Sequence, residues 1–459
     1  MTMIEVGAMP AHRRRYLQGP FAPVQEEVTA YDLPVGGHLP DGLRGRYLRM
    51  GPNPLAVEDP AVHFWGLGAG MVHGVRIRDG RAEWYRNRWV RSAEVGAALE
   101  RLRRGEPQPP VLPTSPNVQV VGHAGRTFAL VEGGTPPHEL GYELDAIGPC
   151  ALGGTPQGSS ANSHSKVDPR TGDLHSVAYV IGRSFAQHVV TGPAGTVTSV
   201  TDVPMPGEMP FLHDFALSQN HVVLFDIPLR FSMAAGQFAW DREHPARIGV
   251  LPRSGGPVRW LPADPLYVSH TLNAYDDGRT ITMDLIVADG PLDVSDPGAI
   301  VPVLERWSVD LAGGRVRRRR IDDHAQDFPR VNDAFASLPY RYGYSAITPL
   351  YGMPFTADGP HPDEAFTNAL IKHDLETDAA QVHGFAREEA VSEAAFVPDP
   401  DGGGGEDEGF LMAYVAAPER GATDLVVLSA QDFTAPPLAR VHLPVRVPLG
   451  YHGNWIPDA

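Results

Sequence analysis

The sequence predicts an all-β fold, a propeller of about seven four-stranded blades, and three observations carry that expectation. Most of the chain divides into short strands separated by turn signals. Strands read at 45–49, 72–78, 118–121, 127–131, 221–226, 280–287 and 411–415. The pairs Asp79-Gly80 and Asp277-Gly278, and the run 168–173, fall between strands as hairpin connections do. Helical periodicity is scarce. It is best at 94–104, before the proline-rich link 107–116, and 232–240 reads as a second, shorter helix. Length is the third observation: at ~40–50 residues per blade, 459 residues suit about seven blades. No blade repeat is visible by eye. The segment 399–408 reads as a surface loop or hairpin tip, so one domain over 1–459 is expected.

Composition narrows the function classes. A hydrophobic fraction of 42% is ordinary, while 49 Gly and 45 Pro make the chain turn-rich. A net charge of -17 argues against nucleic acid or an anionic membrane surface as an electrostatic partner. The single cysteine, Cys150, excludes an intramolecular disulfide and a thiolate cluster, and reads as a small buried hydrophobe. Residues 1–15 hold no apolar run of signal-peptide length, and no stretch approaches the ~18 apolar residues of a membrane span. A soluble, cytoplasmic protein is expected. The glycines of 66–70 fail a nucleotide-loop register at Met71 and His73, so a tight turn is the better reading. The arginines of 315–320 read as a solvated edge strand guarded against pairing.

The chemistry lies in four of the 19 histidines. His452 sits in a C-terminal segment rich in Gly, Pro and aromatics, a composition suited to burial rather than fraying. His164, His213 and His270 each open or precede a strand, and the four are separated by 49, 57 and 182 residues. The first two separations are about one blade and the last three or four, so equivalent positions would face one central axis. Four neutral imidazoles suit Fe, Cu, Ni or Zn. Metal-bound imidazoles usually donate their second N–H to a carboxylate or carbonyl. Glu132, Asp327 and Glu393 lie in turn-like, otherwise apolar settings where such a partner could stand, although an ordinary turn carboxylate fits those settings too.

Taken together these residues resemble the carotenoid cleavage oxygenases, the family that includes the lignostilbene dioxygenases and the retinoid isomerase, and most of all its bacterial carotenoid and apocarotenoid members. The resemblance runs from Gly45-Arg46-Tyr47-Leu48-Arg49-Met50-Gly51-Pro52-Asn53-Pro54 to His452-Gly453-Asn454-Trp455. Further matching blocks are Gly70-Met71-Val72-His73-Gly74, Tyr85-Arg86-Asn87-Arg88-Trp89-Val90-Arg91, Arg247-Ile248-Gly249-Val250-Leu251-Pro252-Arg253 and Glu406-Asp407-Glu408-Gly409. It implies a seven-bladed propeller with a small helical cap over an axial iron site, the cap elements being inserted near 93–104 and 229–245. It implies one Fe(2+) per chain on His164, His213, His270 and His452, with Glu132, Asp327 and Glu393 behind them. The reaction implied is insertion of both atoms of O2 into one C=C bond of an apolar alkene, giving two carbonyl products. A polyene needs an apolar tunnel, for which Phe64, Trp65, Phe211, Phe215 and Trp240 are the candidate lining residues.

Several positions depart from the family pattern. Asp327 stands where Glu is usual, so either the backbone moves closer or a water bridges it to its histidine. Ser165 replaces a proline after the first histidine, and Leu67-Gly68-Ala69-Gly70-Met71 lacks two turn carboxylates. The lysine expected beside the first acid of stilbene-cleaving members is absent, since Val131 and Gly133 flank Glu132. A carotenoid or apocarotenoid is therefore favoured over a stilbene or phenylpropenoid alkene, while the short entrance segment 228–247 pulls toward a smaller substrate. A redox-neutral isomerase on the same fold is the other class in play. Met233, Phe238 and Trp240 form a candidate lip for weak peripheral membrane contact, which equal partition with and without liposomes would exclude. Oligomeric state is left open.

Overall fold

The computed structural model describes residues 15–55, 63, 65–108, 113–150, 163–180, 182–205, 211–232, 237–290, 301–348 and 365–458. Among them, the strands form seven sheets of four or five strands and one two-stranded hairpin. The sheets follow one another along the chain as the blades of a propeller. Blades 2 to 6 begin at their inner strands, Gln119–His123, Lys166–Val167, Phe215–Leu217, Leu266–Asp276 and Gln326–Arg330. Blade 7 begins at Ala395–Pro398 and takes Val35–Gly37 from the N-terminal part of the chain as its outermost strand. Blade 1 holds four strands from residues 29–89 and is completed by the C-terminal strand Gly453–Pro457, which pairs with Arg44–Pro52. Two exchanged strands thus close the ring, and the second one places His452.

Local sequence explains the hairpins. Gly70–Arg78 turns into Arg81–Trp89 through Asp79 and Gly80, at φ +48° and +70°. A two-residue loop with both residues in the left-handed region matches the twist of paired strands. Closure needs glycine for a different reason. A Cβ on Gly453 would lie 2.5 Å from the Leu48 carbonyl oxygen, and one on Gly51 would lie 2.8 Å from the Gly450 Cα. Only bare backbone lets the C-terminal segment lie this close to Arg44–Pro52.

Two expectations are corrected. The described residues at the two ends of 232–240 are strand rather than helix: Leu229–Ser232 pairs antiparallel with Gln237–Trp240, between the second and third strands of blade 4. The apolar positions 229, 231, 238 and 240 fit period two, and Phe231 faces Phe238 with ring centroids 5.4 Å apart. The expected helix does form at Ala93–Arg103, capped by the Ser92 hydroxyl accepting from the Val95 amide. Cys150 is only half-buried, against a small cluster that includes Phe128 and Leu174. The arginine-rich strand Arg315–Asp322 is the outer edge of blade 5, as expected, with Arg318 on Glu305 at 2.9 Å and Arg319 on Asp378 at 3.2 Å.

Buried neutral histidines set an acid limit on stability. Burial, with Arg49 adding to it, lowers His73 to about 3. Burial and Arg253 lower His175 to about 3 and His188 to about 4. In the unfolded chain each would protonate near its usual value of about 6.5. Their contribution is therefore complete above that pH and is lost progressively as pH falls toward about 3. Calorimetry from pH 7.5 to 5 should show Tm dropping chiefly below 6.5; a flat profile would contradict this.

Candidate metal centre

Each blade supplies one residue to the axis. His452 precedes the inner strand of blade 1, His164 that of blade 3 and His213 that of blade 4, while His270 lies within that of blade 5. The carboxylates come from the other three: Glu132 follows Arg126–Leu130 of blade 2, Asp327 lies in the inner strand of blade 6, and Glu393 precedes that of blade 7. Irregular pairing aims two of these side chains. The register of Leu266–Asp276 shifts on both sides of His270, and that of Gln326–Arg330 shifts after Asp327. Such bulges turn a side chain out of the ordinary strand alternation.

The four imidazoles converge. His164 lies 4.5, 5.0 and 4.7 Å, between ring centroids, from His213, His270 and His452. His270 lies 5.0 Å from His213 and 4.9 Å from His452. Three rings are held from behind through Nδ1: His213 on Glu132 at 2.7 Å, His270 on Asp327 at 2.6 Å and His452 on Glu393 at 2.8 Å. An ionised carboxylate only accepts, so Nδ1 carries the proton and Nε2 keeps its lone pair. Nε2 of His213 lies 3.3 Å from that of His270. The buried Nε2 of His452 has no hydrogen-bond partner among the described residues.

The acids are themselves fixed. Glu132 accepts from the Ser163 hydroxyl, Asp327 from the Ser269 hydroxyl at 2.7 Å and the Phe328 amide at 2.8 Å, and Glu393 from the Gly453 amide at 2.6 Å. Burial works to raise all three, yet their histidine partners and these donors hold them below the ordinary carboxylate range. They stay ionised at neutral pH. Burial, then the fields of its three neighbours, pushes His164 well below the usual histidine range, and burial lowers His452. For His270, burial is outweighed by Asp327, Asp214 and Glu393 together, so its value rises.

Of the aromatic candidates, Phe211 stacks on His213 at 5.5 Å with the rings 4° from parallel, and meets Phe238 at 4.8 Å. Trp65 is buried beside Tyr451, with ring centroids 4.4 Å apart, and Trp240 packs against the core that includes Leu229. Phe215 sits inside another core cluster, with Leu217 and Leu224. Phe64 lies outside the described residues. A cavity of about 670 Å³ touches His164, His270 and His452, and its walls include Lys166, Asp214 and Arg330. Its lining is mixed polar and apolar, and includes none of the four described aromatic candidates, Trp65, Phe211, Phe215 and Trp240. Two residues beside the histidines escaped sequence reasoning, the buried Asp214 and the half-buried Arg330. Asp214 carried a faint signal in directly following His213.

The residues present fit a metal ion. His164, His270 and His452 place ligand atoms within 4.8 Å of one another, as do Glu132, His164 and His213, and the Nε2 of His452 lacks any other partner among the described residues. Seven blades around an axial histidine cluster able to hold a metal define the class of this protein. The family described as RPE65, retinal pigment epithelial membrane protein, matches residues 21–457. The chain belongs to that family, which takes in the carotenoid cleavage oxygenases, and with it to the dioxygenase oxidoreductases. It is 39% identical to a carotenoid cleavage oxygenase of Mycobacterium tuberculosis over 96% of this chain and 97% of the relative. An isoeugenol monooxygenase of Pseudomonas nitroreducens is 29% identical over 96% of this chain and 98% of its own. The crystal structure of a Pseudomonas brassicacearum lignostilbene dioxygenase superposes with a TM-score of 0.87 at 25% identity, covering 98% of this chain and all of the other. Among the described residues no helix is long and apolar enough to cross a membrane.

Proposed function

We propose that this chain is a non-haem Fe(II) dioxygenase that cleaves one C=C bond of a carotenoid or apocarotenoid into two carbonyl products. One Fe(2+) would be held by His164, His213, His270 and His452, with Glu132, Asp327 and Glu393 orienting them. The observation that carries the reading is the convergence of four imidazoles, three of them with Nδ1 tied outward to a carboxylate. Bound iron supplies the centre at which O2 reacts with an electron-rich alkene. The protein does the rest. The carboxylates fix the tautomers of His213, His270 and His452, so that each of these three rings offers a neutral nitrogen without reorganising. Phe211, packed flat on His213, offers an apolar wall on which a polyene can lie and from which water is excluded. Phe64, Trp65, Phe215 and Trp240 are the further candidates for that wall. The chain acts as one propeller domain, with 93–104 and 229–245 as its inserted cap segments.

A stilbene or phenylpropenoid alkene is the second reading, favoured by the isoeugenol and lignostilbene relatives. Val131 and Gly133 beside Glu132 weigh against it, because a phenol-binding lysine is missing there. O2 uptake by the iron-loaded protein should be measured with β-apo-8′-carotenal and, in parallel, with resveratrol. Stoichiometric uptake and two carbonyl products from the first alone are expected. Cleavage of resveratrol alone would transfer the protein to the second reading, and turnover without O2 loss would make it an isomerase.

A further inference from the structure

We propose that Asp214 and Lys166 are positioning residues, a buried clamp that sets the spacing of His164, His213 and His270. The inference rests on the metal-site reading above and assigns the spacing to two residues outside the histidine and carboxylate set. Asp214 directly follows His213 in blade 4, and its side chain is 2% exposed. Its Oδ1 accepts from Lys166 Nζ at 2.8 Å and from the Phe215 amide at 2.7 Å. Its Oδ2 accepts from the Thr271 amide at 2.7 Å. Lys166 is two residues past His164 in blade 3, and Thr271 is one past His270 in blade 5. A single carboxylate thus ties three successive blades together within two residues of a histidine on each.

The tie is directional. Separate blades meet mainly through apolar side chains, which fix distance loosely, whereas a charge-assisted hydrogen bond fixes both distance and angle. The Thr271 amide belongs to the strand whose register shifts on both sides of His270, so Asp214 anchors that irregular backbone from the neighbouring blade. Lys166 supplies the counter-charge and lies over the Phe215 ring, with Nζ 5.1 Å from its centroid. The other side of the ring has a matching device. Arg330 of blade 6 donates to the Gly453 carbonyl at 2.7 Å and to Asn454 Oδ1 at 2.6 Å, and pairs with Glu393 at 3.5 Å. One ion pair joins blades 3 and 4 and reaches blade 5 through the Thr271 amide, and the other joins blades 6 and 7 and reaches blade 1 through Gly453 and Asn454.

The test is Co(II) titration of the metal-free full chain, read by d–d absorption, with a thermal melt of each variant. Asp214→Asn should weaken Co(II) binding about 10-fold or more, the scale of losing an outer partner at a metal site, and should shift the d–d bands. Removing one member of a buried pair strands the other. The double variant Lys166→Met/Asp214→Asn therefore guards against loss of folding, and it should show the same weakened affinity. Asp284→Asn, which breaks the equally buried pair with Arg306 between the second and third strands of blade 5 and outside the cavity lining, should lower Tm and leave Co(II) affinity and spectrum unchanged. Wild-type affinity and band positions in both Asp214 variants would overturn the clamp. Failure of the wild type itself to bind Co(II) would overturn the metal site, and the clamp with it.

Discussion

The His270→Ala variant is expected to lose its metal. His270 is flanked by all three other rings at 4.9–5.0 Å and is the only one of the four placed inside a strand rather than before one. Its loss removes one nitrogen donor and also unbalances the acid behind it. Asp327 is buried, accepts the His270 Nδ1–H, and depends on that ring to stay ionised. Without the ring, the Ser269 hydroxyl and the Phe328 amide remain as its donors. A stranded buried charge is costly, so some loss of stability accompanies the loss of metal. Deleting an outer partner costs ~10–100-fold in metal affinity, and deleting a ligand should exceed the upper end of that range. Iron content per chain should fall well below one, and O2 uptake with it, while the far-ultraviolet β signal is retained. Stoichiometric iron and undiminished uptake in a folded His270→Ala protein would remove His270 from the metal site.

How much of this was legible in the sequence differs by residue. The four histidines could be picked out because each lies at or beside an inner strand, and blade-sized spacing is a property of one dimension. Asp79-Gly80 was legible because two left-handed residues between strands permit one kind of hairpin. The segment 232–240 was misread because so short an apolar run fits either period, and what decides is the pairing of Phe231 with Phe238. Asp214 was missed because its role is a meeting of three blades, and nothing within 210–215 announces Lys166 or Thr271. Phe211 and Phe215 looked alike as aromatics near His213. The fold sends one to stack on the imidazole and the other into a core cluster, a distinction that strand alternation could not supply, because both lie two residues from His213 and share its parity.

Asp327 raises the question that the shorter acid posed, and the structure answers it through the backbone. The carboxylate reaches His270 directly at 2.6 Å. The missing methylene is made up by the chain itself: the register shifts after Asp327, and Phe328 takes φ +56°, a region that aromatic residues rarely occupy. That strain is held by the Phe328 amide donating to Asp327 Oδ1 and by burial of the Phe328 ring 5.6 Å from both His270 and His452. Restoring the longer acid should therefore not be neutral. In Asp327→Glu the added methylene has no room along a 2.6 Å bond, so the carboxylate must swing away or push His270 off its axis. Asp327→Asn keeps the shape but loses the charge, and its amide can meet Nδ1 only through its oxygen. Each variant should lose roughly 10–100-fold in metal affinity, about 1.4–2.8 kcal/mol. They should differ in stability, with the isosteric Asn variant melting nearer the wild type and the overpacked Glu variant lower. Metal titration beside thermal melts separates the cases. If Asp327→Glu binds metal as the wild type does and melts no lower, the bulge after Asp327 is incidental to the site, and the direct bond to His270 does not set its affinity.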